Sequence, residues 1–158
     1  MLSLTSQFGG DPEHVILHGV SAGAGSVALQ MLAYGGRNDN LFHGGIGTSI
    51  YLPWQPRVAS LEPQFSHFVA SAGCGNSSSP LSCLRKQPSD ILQAANTPAP
   101  YPARSKKPLF PFTATIDGDF LRDYPVRQFA DGKFVKIPTI WCDLRDRQMW
   151  HASRLPCR

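Results

Sequence analysis

Residues 14–32 read HVILHGVSAGAGSVALQML, and the reading of this stretch decides the fold. Val15, Ile16 and Leu17 form a short apolar run bounded by GGDPE and by Gly19, which predicts a buried strand. From Ala22 the small and apolar residues Ala24, Val27, Ala28, Met31 and Leu32 recur at helical spacing, and Gly35 and Gly36 stop the run. Between strand and helix lies Gly19-Val20-Ser21-Ala22-Gly23, a G-x-S-x-G pattern in the context where that pattern carries chemistry.

The physical requirement is specific. A serine that attacks a substrate must sit on a sharp turn in a strained backbone conformation, with Gly19 and Gly23 leaving room where side chains would collide. The N–H of Ala22, at the start of the incoming helix, would point at a developing oxyanion. The competing reading makes the glycines a means of packing helix on strand and Ser21 a helix cap. The flanking strand and helix favour the nucleophile. A dinucleotide-binding turn fails because GVSAGAG lacks the G-x-G-x-x-G register and no acid follows at the end of a second strand. A phosphate-gripping loop fails because no Lys-Ser or Lys-Thr follows the glycines.

Working outward, a second strand is expected around Ile46 to Tyr51, closed by Pro53. Val58, Leu61, Phe65, Phe68, Val69 and Ala72 predict an amphipathic helix after Pro56 with Gly73 past its end. Shorter helices are expected from Pro80 and from Ser89, with Ser89 or Asp90 as cap. Thr97 to Pro111 is too rich in proline to be regular and reads as a surface loop. FTATIDGDFL, from Phe112, reads as a strand or edge segment turned at Asp117-Gly118. PVRQFADG, from Pro125, is a short helix, and VKIPTIW, from Val135, another strand. Alternating strands and helices predict an α/β layer around a mostly parallel sheet.

Composition narrows the function classes. The 158 residues are 42% hydrophobic and 16% charged, compatible with one globular unit. Of the net charge of +4, half lies in the segment from Cys142, where Arg145, Arg147, Arg154 and Arg158 outnumber Asp143 and Asp146. Only RSKKP, from Arg104, resembles a basic patch, and it reads as a solvated loop, so no nucleic-acid partner is expected. No window approaches the roughly 18 apolar residues of a membrane span, and MLSLTSQ lacks the features of a secretory signal. Cys74, Cys83, Cys142 and Cys157 lack the paired spacing of a zinc site. Cys74 and Cys83 are either reduced buried thiols or a loop-closing disulfide.

FGGDPEHVILHGVSAGAGSV resembles the nucleophile region of type B carboxylesterases, the carboxylesterase, lipase and cholinesterase group of the α/β-hydrolase fold, with fungal members nearest in character. AGCGNSSSPLSCLRKQPSDIL is similar to that family's second disulfide loop, and PFTATIDGDFLRDYPVRQFADGKFVKIPTI to the stretch leading to the acid of its triad. The family-like part runs over 8–141, with 142–158 a divergent tail of a single partial domain. The resemblance implies an incomplete α/β-hydrolase fold, a serine esterase acting on small-molecule or lipid esters, and no cofactor or metal. It makes Ser21 the nucleophile and Ala22 an oxyanion donor, and it implies a Cys74–Cys83 disulfide. Such a bond contributes about 2 to 3 kcal/mol and needs an oxidising compartment, so the full-length relative is expected to be secreted. Asn76-Ser77-Ser78, inside that loop, is a glycosylation sequon and agrees with secretion.

The same resemblance identifies departures. The family's oxyanion loop precedes the nucleophile, and its triad continues with an acid and then a distant histidine. Here His43-Gly44-Gly45 imitates the oxyanion loop but follows the serine, and it reads as the next strand. CDLRDRQMWHASRLPCR replaces the acid region; Asp146 and His151 match neither partner of Ser21. His18 fits a turn-shaping position and not the general base. Val20 replaces the Glu of many relatives. The chain alone is therefore expected to be inactive, a truncated or frameshifted reading of a longer gene. The alternative is a non-catalytic, cholinesterase-like chain that binds a partner. Bare sheet edges are expected to make it poorly soluble.

Overall fold

The computed structural model describes residues 2–98, 110 and 112–143. Single-turn helix α1 (Leu2–Thr5) and 3-10 turns at Ser6–Phe8 and Pro12–His14 lead into strand β1 (Ile16–Val20), helix α2 (Ala22–Gly36) and strand β2 (Gly44–Thr48). The helices α3 (Glu62–Ser71), α4 (Pro80–Leu84), α5 (Ser89–Ala95) and α6 (Pro125–Ala130) follow, and β3 (Thr139–Cys142) ends the series. Contacts group the segments before Trp54 and after Asp117 into one compact unit and Trp54–Asp117 into another.

In the first unit the three strands pair in the order β1-β2-β3, and both pairings are parallel. Leu17 pairs with Gly45 and Gly19 with Gly47; Gly45 and Gly47 pair onward with Thr139 and Trp141. Strand alternation therefore puts these six residues on one face. α2 covers that face: Val27 and Met31 approach β2 at Gly45. Glycine at position 47 leaves room for its neighbour, because a Cβ there would run into the indole of Trp141, which would have to move. The helical pattern of the sequence is realised in full, since Ala24, Val27, Ala28, Met31 and Leu32 are all buried. Regular helix ends after Leu32, where Ala33 is extended and Tyr34 and Gly35 are left-handed. Leu121 and Val135 complete this core, with Val135 N–H donating to the Met31 carbonyl at 2.9 Å.

Several elements depart from expectation for local reasons. The first strand is not buried: Ile16 and Val20 remain 49% and 57% exposed, because β1 is an edge strand covered by α2 on one face only. The second strand ends at Thr48 and not Tyr51, since Ser49 turns left-handed (φ 47°) and breaks the ladder. β3 starts after Pro138, which has no N–H to extend it. FTATIDGDFL forms no strand. Ile116 makes a single bridge to Arg57, and the partner segment then turns directly into a 3-10 helix at Val58–Ser60, so no ladder propagates.

The second unit is helical. α3 begins at Glu62 with Pro63 in its first turn, leaving Val58 and Phe65 exposed while Val69 and Ala72 are buried. Gly73 follows it with a positive φ of 74°, as expected of a helix end. Neither Ser89 nor Asp90 caps α5, because Pro88 holds the cap position and offers no side-chain acceptor. Val69, Ala72, Cys74, Leu84 and Ala95 form the core, with Phe68, Cys83 and Leu92 packed against it. The Cys74–Cys83 disulfide runs through this core, with its Cα atoms 5.8 Å apart. RSKKP, most of the proline-rich loop, and Asp146, His151 and Cys157 lie outside the described residues.

Candidate active site

Ser21 occupies the single position between the end of β1 and the start of α2. Its backbone takes φ 54°, ψ −118°, a conformation that L-residues with side chains avoid. Three backbone hydrogen bonds hold it there. Ser21 N–H donates to the Thr48 carbonyl at 3.0 Å, and the Ser21 carbonyl accepts from Gly25 N–H at 3.1 Å and Tyr51 N–H at 3.0 Å. β2 and the segment after it thus clamp the turn from outside, a contribution that sequence reading missed because it comes from main-chain groups of unremarkable residues.

The side chain is left available. Ser21 makes no capping hydrogen bond to α2, and it is exposed, so the competing reading of this serine as a helix cap does not describe the geometry. Among the described residues its Oγ has no hydrogen-bond partner. Ala22 N–H, in the first turn of α2, precedes the helical ladder and is likewise exposed. The positive end of the helix dipole lies at the same turn.

The two glycines differ. A Cβ on Gly19 would run into the backbone of Gly23 and Ala24, so glycine here lets the helix start fold back against the strand. A Cβ on Gly23 would meet nothing, contrary to the expectation of a collision on both sides; the crowding is all on the strand side of the turn. His43-Gly44-Gly45 enters β2, as the sequence predicts, and His43 N–H donates to the Val15 carbonyl at 2.7 Å. His14 is engaged by Asp11, with Nδ1 2.8 Å from the carboxylate. Glu13 N–H, and then His14, hold the Asp11 carboxyl below the usual carboxylate range. His18 lies exposed on β1, two positions before Val20. No described histidine or carboxylate is hydrogen-bonded to Ser21.

Comparison with known protein families matches residues 4–156 to the Carboxylesterase family. The chain belongs to this carboxylesterase family. Lipase 1 of Geotrichum candidum is 36% identical over 148 residues, covering 85% of this chain and 26% of that protein. Secreted lipase 1 of Botryotinia fuckeliana is 35% identical over 145 residues, covering 88% of this chain and 25% of its own length. The crystal structure of EstA from Aspergillus niger superposes with a TM-score of 0.83 at 41% identity, covering 87% of this chain and 27% of that one. The carboxylesterase chain therefore has an α/β-hydrolase-type fold, present in part, and spans about a quarter of the length of the relatives it matches. No described helix is long and apolar enough to cross a membrane.

Proposed function

We propose that this carboxylesterase chain supplies the nucleophile of an ester hydrolase, with Ser21 as the attacking residue and Ala22 N–H as one oxyanion donor. The observation that carries the reading is the strained, exposed Ser21 at the N-terminus of α2, whose hydroxyl has no hydrogen-bond partner among the described residues. In the reaction Oγ bonds to the ester carbonyl carbon while its proton passes to a general base. The oxyanion receives the Ala22 N–H and the helix dipole. Collapse expels the alcohol, and water then releases the acid from the acyl-enzyme. The substrate is a small-molecule or lipid ester, and the protein acts after secretion.

The 158-residue chain by itself is expected to show no ester turnover, because Asp146 and His151 match neither triad partner by motif and, among the described residues, no acid or histidine is hydrogen-bonded to Ser21. Two measurements test the proposal. In a protein of its relatives' length that carries this chain, Ser21→Ala lowers p-nitrophenyl ester turnover by about a thousandfold or more and abolishes labelling by a fluorophosphonate. Unchanged turnover would remove Ser21 from the mechanism, and a serine that never labels would favour the partner-binding alternative. For the isolated chain, serine-dependent hydrolysis would overturn the claim of inactivity.

A further inference from the structure

We propose that Asn76 is the acceptor of an N-linked glycan. Of Asn38, Asn40, Asn76 and Asn96, only Asn76 is followed by the required triplet; Asn96-Thr97 is followed by Pro98. The folded chain leaves room for a glycan at this triplet. Ser77 N–H donates to the Cys74 carbonyl at 3.1 Å, so Gly75 and Asn76 form the tip of a tight turn. Asn76 and Ser78 are both exposed, and neither side chain has a hydrogen-bond partner among the described residues. The middle serine is different: its Oγ accepts from Ser79 N–H at 3.2 Å. Among the described residues, the two side chains that the transferase must engage are therefore uncommitted, and the one it ignores is used by the fold.

The base of the loop is fixed by the buried Cys74 and its bond to Cys83, so the tip projects from a covalently closed platform. A disulfide and an N-glycan are made in the same oxidising lumen. The inference rests on the secretion in the proposed function and is independent of its ester chemistry. In the transfer, Asn76 Nδ2 bonds to C1 of the reducing-end sugar of a lipid-pyrophosphate-linked oligosaccharide. The C1–O bond to the pyrophosphate breaks, the lipid pyrophosphate leaves, and Nδ2 gives up one proton to the transferase.

The test is translation of the full chain behind a cleavable secretory leader with microsomes, reading only the protease-protected product. The expected result is one glycan per chain, removed by a peptide amidase that leaves Asp at position 76. Asn76→Gln and Ser78→Ala abolish the modification, whereas Ser77→Ala and Ser78→Thr retain it. Ser21→Ala leaves it unchanged, which separates this result from failure of the esterase reading. Protected chain with the Cys74–Cys83 bond formed and no glycan would overturn the proposal. So would a glycan that persists in Asn76→Gln.

Discussion

Ser21 combines two properties that pull against each other: a side chain, and a backbone at φ 54°, ψ −118° that glycine alone adopts without strain. Three main-chain hydrogen bonds from β2, the segment after it and α2 hold it in place. Ser21→Gly is accordingly expected to stabilise the fold by about 1 kcal/mol, and Ser21→Ala to change stability little, because alanine keeps the Cβ. Urea unfolding of the three chains checks this; a destabilised glycine variant would mean that the turn is unstrained. A second residue-scale effect concerns Asp11, whose carboxyl accepts from Glu13 N–H and contacts His14. Its pKa is lowered in the folded chain, so these bonds contribute above the unfolded value and are lost as pH falls through the lower folded one. Protection of the Glu13 amide should therefore collapse on acidification in that window, and Asp11→Asn should remove the pH dependence.

At the scale of elements, α2 and the disulfide loop show what a linear pattern can and cannot carry. The apolar stripe of α2 is local information: residues three and four apart share a face, so the five positions named from spacing all bury, together with Gly25 and Ala33. Complete burial of Val27, Met31 and Leu32 contributes about 1.5 to 3 kcal/mol each. Strand ends are less legible, because they depend on the partner. Ile116 stops at one bridge since the chain after Arg57 coils away, and no property of FTATIDGDFL announces that. In the helical unit, Cys74 and Cys83 unite the ends of α3 and α4 at nine residues' separation. Reduction is expected to cost about 2 to 3 kcal/mol and to speed amide exchange at Val69, Ala72 and Leu84. Exchange with and without a thiol reductant reads the effect, and no change at these amides would show that packing alone holds the unit.

For the whole molecule the decisive feature is a parallel sheet with α2 on one face and Ile16, Val20 and Ile140 about half exposed on the other. Parallel sheets are ordinarily covered on both sides, and β1 and β3 each also present an edge unpaired among the described residues. Concentration-dependent association follows, and Ile16→Lys is expected to shift sedimentation toward the monomer. A chain already monomeric at high concentration would contradict this. The strand-turn-helix order, the small residues at the turn and the covered helix face were all legible in residues 14–32, because each follows from contacts between near neighbours. Legible too was the glycine before the turn, although its partner in the close approach, the backbone of Gly23 and Ala24, belongs to the folded arrangement. What only the tertiary structure decided is how Ser21 is held. The Thr48 carbonyl and Tyr51 N–H lie far along the chain, and main-chain donors and acceptors leave no mark on residue type. The exposure of a strand that reads as buried was settled in the same way, since burial depends on what covers a strand and not on its own side chains.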